Sequence, residues 1–110
     1  MAVAYKILCQ SAPSATTATL AYGPVGANTS TVVSTLAVCN RGATAATYRI
    51  SIRENGAADN AKQYLAYDAS IPANTTTTWT IGATLTTGDA IWVYASNANL
   101  SFQAFGSEIS

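Results

Sequence analysis

The stretch from Ser30 to Glu54 decides the fold, and it reads STVVSTLAVCNRGATAATYRISIRE. Its first part, residues 31 to 39, is rich in valine, threonine and leucine and contains no proline or glycine. Alternate side chains form two largely apolar faces: Val32, Ser34, Leu36 and Val38 on one, and Val33, Thr35, Ala37 and Cys39 on the other. A strand that is apolar on both faces is typical of the middle of a sheet that is covered on both sides.

The second part of this stretch predicts a partner strand. Residues 40 to 42, Asn-Arg-Gly, interrupt the apolar pattern as turn residues do. After them, Tyr48, Ile50 and Ile52 alternate with polar residues, which is the period of a half-buried antiparallel strand. The sequence therefore predicts a central hairpin, in which the two strands pair across this turn.

Six further strand patterns flank the predicted hairpin, over residues 3–10, 15–22, 62–69, 75–81, 90–95 and 100–108. Turn signals such as Asn-Gly at 55–56 separate them, and no helical period occurs. About eight short strands with regularly spaced turns predict an all-β fold, a single antiparallel β-sandwich of the immunoglobulin or jelly-roll type over residues 1–110. The predicted core comprises Leu36, Val38, Tyr48, Ile50, Ile52, Ile91 and Val93.

Charged residues are scarce in this chain, at 9% of the sequence, against about 25% in ordinary globular proteins. The net charge is zero. A protein surface with so few charges is either solvated by threonine, serine and asparagine or buried against other chains. We expect that it is buried, in a homo-oligomer or a larger assembly. The charge balance also disfavours nucleic acid, which calls for a basic patch, and electrostatic binding to a membrane.

No apolar run of about 18 residues is present that could form a membrane-spanning helix. The first ten residues, MAVAYKILCQ, have neither a basic start nor a long apolar core, so we expect no secretory signal. The two cysteines, Cys9 and Cys39, each lie inside a strand pattern. They could form a disulfide if their strands were neighbours, but without an export signal we expect two buried, reduced thiols.

Residues suited to catalysis or metal binding are sparse. The chain contains no histidine, so the usual catalytic triads cannot form. Its five acidic residues sit at predicted strand ends or in loops, and nothing in their spacing favours a metal site or a glycosidase pair. We therefore expect a protein that is not an enzyme and holds no cofactor and no metal.

Aromatic residues cluster in the second half of the chain, at Tyr64, Tyr67, Trp79, Trp92 and Tyr94. They could form a sugar-stacking platform, as in a carbohydrate-binding module, or they could serve the core and a subunit interface, where tryptophan and tyrosine are enriched. We favour the core and interface, because the sequence shows no accompanying cluster of Asp, Arg or His to bind sugar hydroxyls.

The candidate partner-binding residues come from this aromatic set and from the loop around the Asn-Gly turn. Trp92 and Tyr94 are predicted to point outward from a strand whose Ile91 and Val93 point inward. The loops at 23–28 and 55–62 are predicted to lie at the ends of the sandwich as exposed tips. The full set of candidates is Trp92, Tyr94, Trp79, Asn55, Gly56 and Asp59.

Three segments together resemble small virion structural proteins of tailed bacteriophages: VVSTLAVCNRGATAATYRISIR, QYLAYDASIPANTT and LTTGDAIWVYASNANLSFQAFGSEI. The shared features are a strand–CNR–strand unit, a tyrosine-rich strand leading into Ile-Pro-Ala-Asn, and an L-x-x-G-D-x-I-x-V strand followed by F-G-x-E. The resemblance covers residues 32 to 109 and lies in turns and core strands. It implies a non-enzymatic β-sandwich subunit that packs on other capsid or tail proteins, in a virion assembled in the cytoplasm of a bacterial host.

Within a virion, we expect a capsid cement or decoration protein, because the chain has no coiled coil, repeat or shaft to extend it. A neck, baseplate or tail-fibre subunit is the alternative position. Outside the virion, the alternative is a secreted carbohydrate-binding module, with a glycan as its partner.

Overall fold

The computed structural model describes residues 2–110, which form two packed, four-stranded antiparallel sheets. The strands are β1 (Val3–Ser11), β2 (Thr19–Tyr22), β3 (Ser30–Asn40), β4 (Ala46–Arg53), β5 (Tyr64–Ile71), β6 (Thr75–Leu85), β7 (Ala90–Ala95) and β8 (Leu100–Ile109). Two short 3-10 turns, Glu54–Gly56 and Ala61–Gln63, lie between β4 and β5. The predicted all-β sandwich of about eight strands is confirmed.

The order of the strands is that of a jelly roll. The front sheet has the order β1-β8-β3-β6, and the back sheet has the order β2-β7-β4-β5. Every connection crosses from one sheet to the other except the one between β4 and β5, which are neighbours. Of the two sandwich types that the sequence left open, this order fits the jelly roll, and the hydrophobic core lies between the two sheets.

The predicted hairpin of the two central strands is wrong. β3 pairs with β6 and β8 in the front sheet, whereas β4 pairs with β5 and β7 in the back sheet. The buried side chain of Asn40 braces this crossing, because its amide nitrogen donates to the carbonyl oxygens of Thr44 and Ile71 at 2.9 and 3.3 Å. Its side-chain oxygen accepts from the Gly42 N–H at 2.9 Å. The turn therefore carries the chain across the end of the sandwich, and β3 and β4 face each other through the core.

A bulge at Ser34 divides the inward row of β3. The pairing with both neighbouring strands shifts across this residue, so Thr31 and Val33 are buried before the bulge and Leu36 is buried after it. The strict alternation predicted for this strand therefore fails at Val32, which lies on the outer side. A bulge has this effect because it inserts one unpaired residue into the strand.

The core contains most of the residues predicted for it. Six are almost fully buried: Leu36, Val38, Tyr48, Ile50, Ile91 and Val93. The seventh, Ile52, is half-buried and packs against the core from its margin. Trp79 of β6 links the two sheets, since its indole N–H donates to the hydroxyl of Tyr48 on β4 at 2.9 Å.

Several boundaries differ from those predicted. The second strand is shorter, the fifth begins only after a 3-10 turn, and the sixth continues to Leu85. In the loop at 23–28, Pro24 and residues 26–28 are exposed as predicted, but Val25 is buried and its backbone is hydrogen-bonded to Asp89 and Gly88. The long loop after β4 is exposed from residue 54 to residue 62, as predicted.

Both cysteines are free thiols. Cys9 pairs with Ala104 and Cys39 pairs with Ser101, on the two strands that flank β8. Two strand spacings of about 4.8 Å each separate them, which exceeds the Cα separation of about 7 Å that a disulfide tolerates. The predicted reduced state agrees with this placement, but each thiol is half-buried rather than buried.

Candidate functional site

Arginine and aromatic side chains lie in contact across the outer surface of the back sheet, which we call the back face. Residues Arg49 and Arg53 of β4 lie next to Trp92 and Tyr94 of β7. The guanidinium carbon of Arg53 lies 4.0 Å from the centre of the Trp92 ring. That of Arg49 lies 4.3 Å from the ring centre of Tyr94 and 4.2 Å from that of Tyr67 on β5. Each cation therefore stacks on aromatic rings at a favourable distance.

A bulge in β5 brings a carboxylate to Arg49. Asp68 has a left-handed backbone, with a φ of 52°, and the pairing of β5 with β4 shifts at this part of the strand. Its carboxylate accepts two hydrogen bonds from the guanidinium, from Nε to Oδ1 at 2.7 Å and from Nη2 to Oδ2 at 3.3 Å. The hydrogen bonds to Asp68 fix the guanidinium and raise the pKa of Arg49 above its ordinary value.

A groove opens beside Arg49, between β5 and the loop that precedes it. The Tyr64 hydroxyl donates to Oδ1 of Asp59 at 2.7 Å, and this bond raises the pKa of Tyr64. The Tyr64 and Tyr67 rings meet edge to face, with their centres 4.9 Å apart. The groove encloses about 440 Å³ and is lined by Arg49, Asp59, Asn60, Ala61, Tyr64 and Tyr67. We call it the arginine–aromatic groove.

A second depression, of about 270 Å³, continues from this groove along the back face. The two share Arg49, Asp59 and Tyr64, and the second extends to Arg53 and Trp92. Within residues 2–110, the Nε atom of Arg53 is buried without a hydrogen-bond partner. Together the two depressions form a track that carries both signs of charge beside aromatic rings.

Four of the six candidate residues from the sequence lie on or beside the back face: Trp92, Tyr94, Asp59 and Gly56. Trp79 does not, because it belongs to the front sheet and packs against the core. Asn55 lies beside the turn before β7, where its backbone N–H donates to the carboxylate of Asp89. The sequence pattern did not single out Arg49 or Asp68, which the fold places at the centre of the site. Asp68 was expected at a strand end, but it lies inside β5, at a bulge that nothing local in the sequence reveals.

This arrangement places Asp and Arg side chains beside the aromatic residues, although the sequence shows no such cluster. Arg49 and Arg53 come from β4, Asp68 comes from β5, and Asp59 comes from the loop before it. They are dispersed along the chain, so no cluster appears in the sequence. In the fold, the tyrosine rings have guanidinium donors and carboxylate acceptors next to them, as hydroxyl-rich ligands require.

The outer surface of the front sheet, the front face, has the opposite chemistry. The strand register places only uncharged side chains on it: Val3, Tyr5, Ile7 and Gln10 of β1, Val32, Thr35, Ala37 and Cys39 of β3, Thr76, Thr78, Thr80 and Thr84 of β6, and Ser101, Gln103, Phe105, Ser107 and Ile109 of β8. Lys6 and Glu108 of the same sheet lie on its inner side, where their ion pair measures 2.7 Å. The outward rows of the front face therefore carry no charged side chain.

One end of the front face is strongly apolar. On the edge strand β1, Val3, Tyr5 and Ile7 are 47%, 86% and 55% exposed. A shallow depression of about 560 Å³ extends from Tyr5 and Ile7 to Val32 and Phe105, and Lys6 borders it. Proteins ordinarily cover or protect such an edge. The alternation of these residues is visible in the sequence, but their exposure follows from the place of β1 at the edge of the sheet.

Comparison with known proteins yields no relative: no protein-family model, no curated protein and no solved structure matches this chain. Across residues 2–110, no three His, Cys, Asp or Glu side chains come together as a metal site requires. That part of the chain also contains no helix with the length and apolar character needed to cross a bilayer.

Proposed function

We propose that this chain is a non-enzymatic structural protein of a bacteriophage virion, and that it binds other virion subunits through its front face. The resemblance of residues 32 to 109 to virion proteins supplies the setting. The observation that carries the mode of attachment is the open, charge-free front face, whose middle strand is apolar on both sides.

The outer row of β3 gives the strongest support for a protein partner that packs on the front face. Val32, Ala37 and Cys39 give it the apolar character that strands show when both sides are buried. The back sheet covers only the inner side of β3, so the outer row remains partly accessible. A second protein surface would provide the missing layer and remove apolar area from water.

The lack of charge favours a protein as the occupant. Burying an unpaired charge in an interface is costly, and the cores of protein interfaces are depleted in charged residues. The front face requires no such desolvation, since its polar groups are the hydroxyls and amides of threonine, serine and glutamine. A matching partner is a virion subunit whose own surface is neutral and apolar at the contact.

Within the virion, we propose a capsid cement or decoration protein that is present in many copies. The chain attaches by a broad sheet surface, and a contact of this kind buries about 1,000 Å² or more. A neck, baseplate or tail-fibre subunit is the alternative position for the same mode of attachment. Jelly rolls occur in viral capsid domains and in lectins, but this is an analogy of fold and does not specify a function.

A charge placed on the front face tests the proposal. The chain is incubated with capsids assembled from the coat subunits encoded in the same genome, and bound protein is measured by co-sedimentation. Thr78→Lys puts an ammonium at an exposed position of β6 and should weaken attachment by about tenfold or more, because this charge must be desolvated.

Ser70→Lys is the matched control, because it adds the same charge at an exposed position of β5 in the back sheet. It should leave attachment unchanged. The proposed mode of attachment fails if both variants bind like the unmodified chain, or if only Ser70→Lys loses binding. Failure of the unmodified chain to bind capsid or tail subunits would overturn the virion role itself.

A secreted carbohydrate-binding module is the second candidate function. The observation in its favour is the arginine–aromatic groove, where charged side chains lie beside the exposed ring of Tyr67 and the half-buried ring of Tyr64. It predicts specific glycan binding by the back face without attachment to virion subunits, so the capsid assay separates the two functions.

A further inference from the structure

We infer that the arginine–aromatic groove is a binding site for a neutral saccharide. The groove encloses about 440 Å³, within the range of about 300–1,000 Å³ that is typical of small-ligand sites. It lies on the side of the sandwich opposite the front face. A chain attached through its front face would therefore present this groove outward, although binding by the groove does not depend on that attachment.

The polar groups of the groove are held in place but still have bonding capacity. The Asp59 carboxylate accepts one hydrogen bond, from the Tyr64 hydroxyl to Oδ1, and in residues 2–110 its Oδ2 accepts none. The guanidinium of Arg49 uses Nε and Nη2 for Asp68, which leaves Nη1 as a donor. The groove thus offers a fixed acceptor and a fixed donor to a ligand.

The charges favour a ligand without a net charge. An anion that approached Arg49 would also meet the carboxylate of Asp59, and a cation that approached Asp59 would meet the guanidinium. A hydroxyl group can donate to the carboxylate and accept from the guanidinium, and hydrogen bonds to charged groups are roughly twice as strong as neutral ones. Neighbouring hydroxyls of one sugar ring can satisfy both groups together.

The Tyr67 ring supplies the apolar part of the site. It is 59% exposed although Arg49 covers one side of it. The Tyr64 ring meets it edge to face, which holds it in one orientation. An exposed ring of fixed orientation can pack against the C–H surface of a sugar with little loss of side-chain freedom on binding.

The experiment is an NMR titration of the full-length, ¹⁵N-labelled chain. The neutral probes are maltose, cellobiose, lactose, mannobiose and chitobiose, and the charged probes are glucuronic acid and glucosamine. Each is added to about 10 mM, enough to detect a Kd of about 1 mM. At least one neutral probe should shift the backbone amides of residues 59–67 and bind more tightly than either charged probe.

Two groove variants and one control locate the site. Tyr67→Ala removes the ring, and Asp59→Asn removes the charge of the acceptor while keeping an oxygen for Tyr64; each should weaken binding about tenfold. Tyr5→Ala deletes an exposed ring from the front face and should leave the Kd unchanged. Amide spectra of each variant show whether it is folded.

The inference is overturned if no neutral probe shifts the groove amides, or if a charged probe binds more tightly than all neutral ones. It is also overturned if folded Tyr67→Ala and Asp59→Asn variants bind as well as the unmodified chain. None of these outcomes bears on the capsid assay, so the saccharide site and the virion role can fail separately.

Discussion

Arg49 has its position because three groups hold its guanidinium. Asp68 accepts two hydrogen bonds from it, and the rings of Tyr67 and Tyr94 lie on it at 4.2 and 4.3 Å. The exposed ion pair by itself would contribute about 1 kcal/mol or less, but the rings confine the side chain as well. One residue thereby connects β4, β5 and β7 on the back face.

Replacing Ile50 with alanine tests the core at the scale of a residue. Ile50 is 1% exposed, so Ile50→Ala leaves a cavity and should lower the free energy of unfolding by about 2–5 kcal/mol. Ile7→Ala is the matched control, because Ile7 is an exposed residue of β1; its effect should be within about 0.5 kcal/mol. Urea denaturation followed by fluorescence measures both. A loss below about 0.5 kcal/mol for Ile50→Ala would place this residue outside the core.

Glu108 makes the stability depend on pH. Its hydrogen bond with Lys6, followed by that from Tyr22, lowers its pKa below the ordinary value of 4.5. The charged form is therefore favoured in the folded chain, so its contribution is complete above pH 4.5 and disappears as the pH falls through the lowered pKa. Because the pair is partly exposed, we expect about 1 kcal/mol or less.

Glu108→Gln provides the comparison for this pH effect. The difference in unfolding free energy between the two chains should be largest near neutral pH and should shrink on acidification below pH 4.5. Denaturation curves recorded between about pH 7 and pH 3 measure it. A difference that is constant over this range would show that Glu108 has the same pKa in the folded and unfolded chains.

At the scale of the element, β3 carries apolar side chains on both sides, and its outer row is uncharged. Its bulge at Ser34 keeps Val33 and Leu36 in the core although their spacing breaks the alternation. β8 lies beside it and separates it from β1. The edge strand β1 consequently projects its apolar side chains at the margin of the front face.

The order of these strands keeps the two thiols apart. Cys9 and Cys39 lie on opposite sides of β8, too far apart for a disulfide. Alkylation of the denatured chain should therefore add two adducts by intact mass. Burial raises the pKa of the Cys9 thiol, so this residue should react slowly in the folded chain. A mass two hydrogens lower and no adducts would contradict the assigned strand order.

At the scale of the whole molecule, the jelly roll separates two surfaces of different chemistry. The charged side chains on the outer surfaces of the sheets are all on the back sheet, and the front face carries none. Net charge is zero for the whole chain, but its distribution is one-sided. A contact centred on β3 and β6 therefore involves no charged side chain of those two strands, and Lys6 borders the front face only at its β1 end.

Attachment to virion subunits should consequently resist salt. At about 1 M salt the screening length is about 3 Å, which weakens exposed ion pairs but not apolar contacts. Binding to capsids in the co-sedimentation assay should therefore change less than about threefold between low salt and about 1 M. A loss of about tenfold or more would indicate that the charged back face makes the contact.

The sequence by itself determined the fold class, most strand positions and the core side of β4 and β7. These features follow from local alternation: Tyr48 and Ile50, like Ile91 and Val93, point inward because side chains alternate along a strand. Neither the turn at Asn40 nor the alternation of side chains specifies which strands become neighbours. The predicted hairpin of β3 and β4 was wrong for this reason.

Only the tertiary structure decided which sheet each strand joins. The sheet that a strand joins in turn determines which side chains lie together on the front face and on the back face. The groove and the ion pair beside it combine Arg49, Asp59, Tyr67 and Asp68 from separate parts of the chain. The bulge in β5 directs the carboxylate of Asp68 toward Arg49. The charge-free front face likewise depends on which four strands lie side by side. Pairing between distant strands is set by packing of the whole core, so a local pattern cannot specify it.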